Sequence, residues 1–361
     1  MKSITPNPIN FPRYPLKFEQ IITTKNHNFV GREFVFHAIN NFLHQSDRGY
    51  FTIIGEPGIG KSAILAHYVT QNPGVVYYNV EIVGENNAEE FLSMICTQLI
   101  EIAQNQGSED PTVNFSNFTN QNSDIFLLLL QQISDKLHPE QRLIITIDGC
   151  DMIDVKNQVR GSNIFYLPRY LPEKVYFILA RRPFLKDKSG LLTETPTQSL
   201  DLSNYIEENR ADAQEYIKIY LNYHSNIKGD QLLTKIGENE INFMYINEML
   251  TATNDQIYSD NLQKYYQNHF KKMNLLVIKQ QTIALDVLNM LVQEQSISTE
   301  VIAAKLDIDE YEIKVILDKW REFLHLELRV AKIYYRVYHS NFHDWLRQQT
   351  EGVTKRLKLR K

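Results

Sequence analysis

The stretch Gly55-Glu56-Pro57-Gly58-Ile59-Gly60-Lys61-Ser62 fits the spacing G-x-x-x-x-G-K-[ST], that of a phosphate-binding loop. Gly55, Gly58 and Gly60 allow the backbone to curl until successive N–H groups point inward at phosphate oxygens. A helix starting at Lys61 adds the positive end of its dipole at the same place. Lys61 is positioned to reach β- and γ-phosphates, and the Ser62 hydroxyl to ligate Mg²⁺.

Two further groups of residues suit the same chemistry. Leu143-Ile144-Ile145-Thr146-Ile147 ends in Asp148, 87 residues after Lys61. A dry strand with a carboxylate at its C-terminal tip can hold the hydration shell of Mg²⁺. Asp151, three residues on, is suited either to orienting an attacking water or to capping the next segment. Phe177-Ile178-Leu179-Ala180 runs into Arg181-Arg182-Pro183. An arginine just beyond a parallel strand lies at the sheet's carboxyl end, where it can sense or stabilise a γ-phosphate. Either arginine suits a surface ion pair equally well, so spacing alone leaves the choice open.

These residues need a scaffold of strands that deliver loops to one edge. Tyr50–Ile54, Val75–Ile82, Leu143–Ile147 and Val175–Ala180 read as strands, with Gln198–Leu202 as a fifth. Helical spacing covers Arg32 to about Gln45, Lys61 to about Thr70, Ala88–Ala103 and Asp124–Leu137. Polar residues from Gln104 to Ser123 read as a long surface loop. Strands alternating with helices of this length imply parallel βαβ units. The fold class expected is therefore α/β, with a P-loop parallel-sheet core carrying helices on both faces.

Around that core, Pro6, Pro8, Pro12 and Pro15 make residues 1–28 read as an extended lead-in to a core over residues 29–200. Residues 201–273 are helical in pattern and form a candidate helical lid. Residues 274–350 hold two or three helices and then Leu326–Val330 and Ile333–Val337, which alternate like a hairpin and suggest a winged-helix domain. A basic tail, 351–361, carries Lys355, Arg356, Lys358, Arg360 and Lys361.

Composition narrows the class. Of 361 residues, 43% are hydrophobic and 22% charged, which excludes a fully disordered chain. Net charge of -5 argues against wholesale electrostatic binding to nucleic acid. Only Cys96 and Cys150 are present, so no disulfide framework is implied. The longest apolar run, Ile125–Leu130, falls far short of the roughly 20 residues needed to span a bilayer. A cytoplasmic protein with no membrane partner is expected.

Phe29-Val30-Gly31-Arg32-Glu33, the Asp148-Gly149-Cys150-Asp151 ending and the Arg182-Pro183 step together resemble the STAND class of AAA+-related ATPases, and within it the NACHT-like bacterial group. Residues 261–270 resemble a stretch at the end of that group's lid, and Tyr338–Leu346 the motif closing its winged helix. The resemblance implies that ADP holds core, lid and winged helix closed, and that ATP exchange releases the winged helix and permits self-association. It also implies a nucleotide-binding set of Val30, Arg32, Gly55, Gly58, Ile59, Gly60, Lys61, Ser62, Ala63 and His339, with Val30 and Arg32 near the adenine and sugar. Ser62 and Asp148 would hold Mg²⁺; Lys61, Asp148, Asp151 and Arg182 would serve hydrolysis; His339 would meet the ADP β-phosphate. The residues themselves leave His339 open as a packed histidine beside Tyr338 and Phe342. The sequence departs from the group at Ile241, where a glycine usually precedes the Asn242-Phe243 pair.

The class joins its core to effector and sensor domains, so such partners are expected in cis or in trans. The alternative is a DNA-binding AAA+-like ATPase with a winged helix. Charge on the would-be recognition helix weighs against it: Asp309, Glu310, Glu312, Asp318 and Glu322 outnumber Lys314, Lys319 and Arg321. Ile313, Ile316, Leu317, Trp320, Phe323 and Leu324 have core-facing spacing instead.

Overall fold

β-Branched and aromatic residues concentrate in four short runs, and in the computed structural model these and the more polar Thr197–Asp201 are the strands of one parallel sheet. The strands are β1 (Gly49–Ile54), β2 (Val76–Asn79), β3 (Leu143–Asp148), β4 (Val175–Arg181) and β5 (Thr197–Asp201). Their order across the sheet is β2-β3-β4-β1-β5. The structure describes residues 14–82, 85–105, 123–153, 158–159, 161–183, 191–223, 241–251, 267, 278–294, 296–320, 323–329, 332–337, 342–343 and 345–349. Residues 106–122 of the expected loop at 104–123, most of the 261–270 stretch, His339 and the basic tail lie outside the described residues, while Gln104, Asn105 and Ser123 belong to helices.

Every residue of β3 is buried, and β4 is buried through Ala180. This is the continuous apolar reading expected of parallel strands covered on both faces. The register sets Ile54 beside Arg181, and Asp148 beside both Ala180 and Asn79. One sheet edge therefore gathers the end of β1, where the glycine-rich loop starts, the acid of β3 and the arginines of β4.

Packed with the sheet are helices α1 (Leu16–Asn26), α2 (Glu33–Gln45), α3 (Lys61–Gln71), α4 (Ala88–Asn105), α5 (Ser123–Lys136) and α6 (Ile206–Tyr223). Helix α1 corrects the reading of 1–28 as an extended lead-in. Pro15, at φ -49°, stands immediately before it, where the fixed proline φ favours helix initiation rather than breaking it. No proline follows until Pro57, and Phe18 and Ile22, one turn apart, are buried. Phe18 meets Tyr77 and Tyr78 edge-on at 5.9 and 5.4 Å.

The chain divides into two compact units, residues 1–244 and 245–361. Helix α7 (Phe243–Thr251) begins in the first unit. The second contains α8 (Ile278–Gln293), β6 (Ile297–Ser298), α9 (Thr299–Leu306), α10 (Glu310–Lys319), β7 (Leu324–Arg329) and β8 (Lys332–Val337). β7 and β8 form the antiparallel hairpin that their alternation predicts, and β6 pairs with the other edge of β8. Ile313, Ile316, Leu317, Trp320, Phe323 and Leu324 are buried in this unit's own core. Asp309 caps α10 by accepting a hydrogen bond from the Tyr311 N–H at 2.8 Å.

Candidate functional site

The loop between β1 and α3 owes its path to two glycines with positive φ. Gly60 (φ +103°) directly precedes the first residue of α3, and Gly58 (φ +79°) occupies a conformation that L side chains rarely adopt. A side chain at Gly58 would also overlap Asn242. The loop starts where the Gly55 N–H donates to the Arg181 carbonyl at 3.2 Å. Ile59 is buried, while Ser62 and Ala63 lie half-buried in the first turn of α3.

Lys61 folds over its own loop, its Nζ donating to the carbonyls of Gly55 at 2.8 Å and Glu56 at 3.0 Å. Burial lowers its pKa, a shift opposed first by the charge of Asp151. The Ser62 hydroxyl acts to lower the pKa of Asp148, so the two residues assigned to Mg²⁺ are neighbours.

Asp148 is 1% exposed. Asn79 Nδ2 donates to its Oδ2 at 3.1 Å, and Tyr77 Oη lies 3.4 Å from the same oxygen. Asn79 also donates to Tyr77 Oη at 3.1 Å and accepts from the Glu81 N–H at 2.8 Å. Burial, and then the charge of Glu81, raise the Asp148 pKa to about 7, while Ser62 and Lys61 act in the opposite direction. This oxygen-rich pair, a half-buried hydroxyl and a carboxylate whose charge lacks compensation, suits a hard divalent cation such as Mg²⁺.

Asp151 is set differently. Its Oδ1 accepts from the Arg182 backbone N–H at 3.0 Å. Arg182 Nε lies 3.1 Å from Oδ2, an ion pair in which the N–H is not aimed at the oxygen. Nη1 of Arg182 is buried without a hydrogen-bond partner among the described residues. Arg182, directly after β4, thus pairs with Asp151, whose charge also acts on Arg181 at the end of the strand.

Arg32 is 2% exposed, and its guanidinium is taken up by the protein. It donates to the Ile59 carbonyl at 2.7 Å and to Asn209 Oδ1, and pairs with Asp212 at 3.6 Å. The Phe243 ring centroid lies 4.7 Å from its Cζ. Burial lowers its pKa to about 10, with Asp212 opposing. Arg32 therefore fastens the loop to α6, whereas the resemblance assigns it to the nucleotide's base and sugar. Val30 is half-buried, and its neighbour Phe29 stacks on His67 at 4.2 Å. His339 lies outside the described residues.

Residues 28–166 match the family model of the AAA ATPase domain. The glycine-rich loop and the strand-tip acid Asp148 described above both fall within the matched residues. No curated protein matches the sequence. Among solved structures, the Walker-type ATPase PABY2304 of Pyrococcus abyssi is similar at TM-score 0.57 and 11% identity, over 88% of this chain and 96% of that one. Drosophila ORC bound to DNA gives TM-score 0.37 at 11% identity, over 92% and 98% of the two chains. A Thermotoga maritima RuvB mutant gives 0.38 at 10%, over 88% and 95%. At 11% identity the likeness to the Pyrococcus protein concerns the fold alone.

Sequence spacing alone did not reveal Asn79, Asn209, Asp212 or the contacts of Asn242. Asn79 carried one usable signal, a single amide among the apolar residues of the second strand. Among the described residues, no helix is long and apolar enough to cross a membrane.

Proposed function

We propose that the chain is an ATP- and ADP-binding, Mg²⁺-dependent ATPase of STAND type that works as a nucleotide-operated switch. The observation that carries the enzymatic part is that Ser62 and the half-buried Lys61 are neighbours of Asp148, both acting on its charge. Ser62 and Asp148 would hold the metal ion, whose chemistry is to neutralise charge developing on the transferred phosphoryl oxygens. Lys61 exchanges the Gly55 and Glu56 carbonyls for phosphate oxygens, a charge-assisted gain over neutral acceptors. Asp151 orients the attacking water or, through Arg182, positions an arginine with a spare donor toward the γ-phosphate.

The switch reading is supported by the motifs of residues 29–33 and 148–151 and by the element order of the second unit. Helix, short strand, two helices and a two-stranded ribbon is the order of a winged helix. Within that unit α10 carries Glu310, Glu312 and Asp318 against Lys314 and Lys319, which favours protein contacts over a phosphate backbone. ADP would hold the closed state, ATP exchange would release it into self-association, and effector or sensor partners would act in cis or in trans.

The test is to release and identify the nucleotide that copurifies with the protein, then titrate ADP and ATP with and without Mg²⁺. Lys61→Ala should weaken both by at least about tenfold, because the phosphates lose a positive point charge. Equal affinity in mutant and parent would remove the assignment.

A further inference from the structure

Three consecutive carbonyls of the phosphate loop are taken by groups remote in sequence. Asn242 Nδ2 donates to the Pro57 carbonyl at 2.9 Å. The N–H groups of Phe243 and Met244 donate to the Gly58 carbonyl at 2.8 and 3.3 Å. Arg32 Nη2 donates to the Ile59 carbonyl at 2.7 Å. Phe243 and Met244 open α7, where the first-turn N–H groups have no partner within their own helix. Asn242 is 1% exposed, so its amide depends on protein partners for its hydrogen bonds. The Phe243 ring covers the Arg32 guanidinium, joining two of these donors in one cluster.

A trans peptide unit is planar and its C=O and N–H point in opposite directions. Holding the carbonyls of Pro57, Gly58 and Ile59 toward residues 242–244 and Arg32 therefore turns the N–H groups of Gly58, Ile59 and Gly60 away from them. Those N–H groups belong to the loop that the glycine spacing assigns to phosphate oxygens. Among them, the Ile59 N–H donates to the Glu56 carbonyl at 3.3 Å. Gly58 completes the fit, since any side chain there would overlap Asn242.

We propose that Asn242, with the Phe243 and Met244 backbone, is a positioning element of the phosphate site. It presets the loop amides from the carbonyl side, and phosphate binding in turn tightens the hold on residues 242–244. This rests on the nucleotide reading above and adds to it a route from the phosphate loop to the start of α7. The coupling is reciprocal because one set of peptide planes serves both sides.

The experiment titrates a fluorescent ADP and inorganic pyrophosphate into the parent and Asn242→Leu, with adenosine as a control lacking phosphates. Losing one donor should weaken ADP and pyrophosphate by a similar factor, roughly three- to tenfold, and leave adenosine unchanged. An equal loss for adenosine would mark general damage to the fold and overturn the positioning role, as would unchanged pyrophosphate affinity. Asn242→Gln, which keeps the amide, should recover part of the loss. Hydrogen exchange in the parent needs no variant and decides the matter where Asn242→Leu does not fold. Pyrophosphate should slow exchange at the Phe243 and Met244 amides by several-fold, and no change there overturns the coupling. If the parent binds neither ADP nor pyrophosphate, the nucleotide reading itself fails, an outcome distinct from either of these.

Discussion

Asp148 and Asp151 stand three residues apart, are both almost wholly buried, and are kept in opposite electrostatic conditions. Asp148 is held by the neutral groups of Asn79 and Tyr77, and burial, then the charge of Glu81, raise its pKa to about 7. Asp151 has a guanidinium 3.1 Å away and a backbone N–H on its other oxygen. A carboxylate supplied with hydrogen bonds but short of positive charge gains most from a divalent cation, whereas one already paired gains little. The two acids therefore divide the work. On the proposed reading Asp148 would hold the metal, while Asp151 anchors Arg182.

The sharpest way to break this division is Asp148→Asn. The amide keeps the shape but removes the charge that Mg²⁺ would meet. Mg²⁺-dependent hydrolysis should fall by about 10²–10³-fold, equivalent to ~3–4 kcal/mol of barrier. ADP affinity measured in the presence of a chelator should stay within about twofold of the parent, because the loop is untouched. A large loss of chelator-resistant binding would instead make Asp148 part of the loop's architecture.

Arg182→Ala tests the other acid. Removing the cation leaves the Asp151 carboxylate, with its side chain 2% exposed, without its ionic partner. Breaking a buried pair in this way is costly, and with Arg182 itself 13% exposed a destabilisation of about 2–3 kcal/mol is expected by denaturant unfolding. Asp151→Asn should cost less, since its Oδ1 can still accept from the Arg182 N–H. The double variant should be less destabilised than the sum of the two. If Arg182→Ala slows hydrolysis at unchanged stability, the arginine serves the phosphate and not the acid.

What could be read in advance follows the range of the interactions. The glycine-rich loop, the acid-tipped strand and the arginine step are contiguous motifs, so type and spacing locate them, although the pairing of Arg182 with Asp151 needed the structure. Four of the five strands also announce themselves, because burial on both faces demands nearly unbroken apolar runs such as Leu143–Ile147, whereas β5 is polar and largely exposed. Helix α1 did not, since four prolines upstream masked a short segment whose burial rests on Phe18 and Ile22 reaching the sheet's tyrosines. The Arg32–Asp212 pair and the Asn242–Pro57 bond each join residues about 180 positions apart. Nothing in a local pattern specifies such a partner; only the sheet order and the path of α6 bring them together.

The smallest expected effect comes from Tyr77→Phe, which trims the neutral shell around Asp148 without touching the carboxylate. The Tyr77 hydroxyl is fully buried, and burial together with the nearby Asp148 charge raises its pKa well above the ordinary tyrosine value. It stays protonated at neutral pH and acts on Asp148 only as a neutral donor. That contact, at 3.4 Å, is long for an O–H to carboxylate hydrogen bond, while Asn79 donates to the same oxygen at 3.1 Å. Removing the hydroxyl leaves the better donor in place, but Asn79 loses its contact to Tyr77 Oη. The balance is a loss of about 0.5–1 kcal/mol in stability and a change of no more than about threefold in the Mg²⁺ concentration for half-maximal hydrolysis. Unfolding curves and a Mg²⁺ titration on one preparation measure both. A Mg²⁺ requirement shifted tenfold or more would mean that Tyr77, not Asn79, sets the orientation of Asp148. The neutral shell would then be ranked in the reverse of the order its distances indicate.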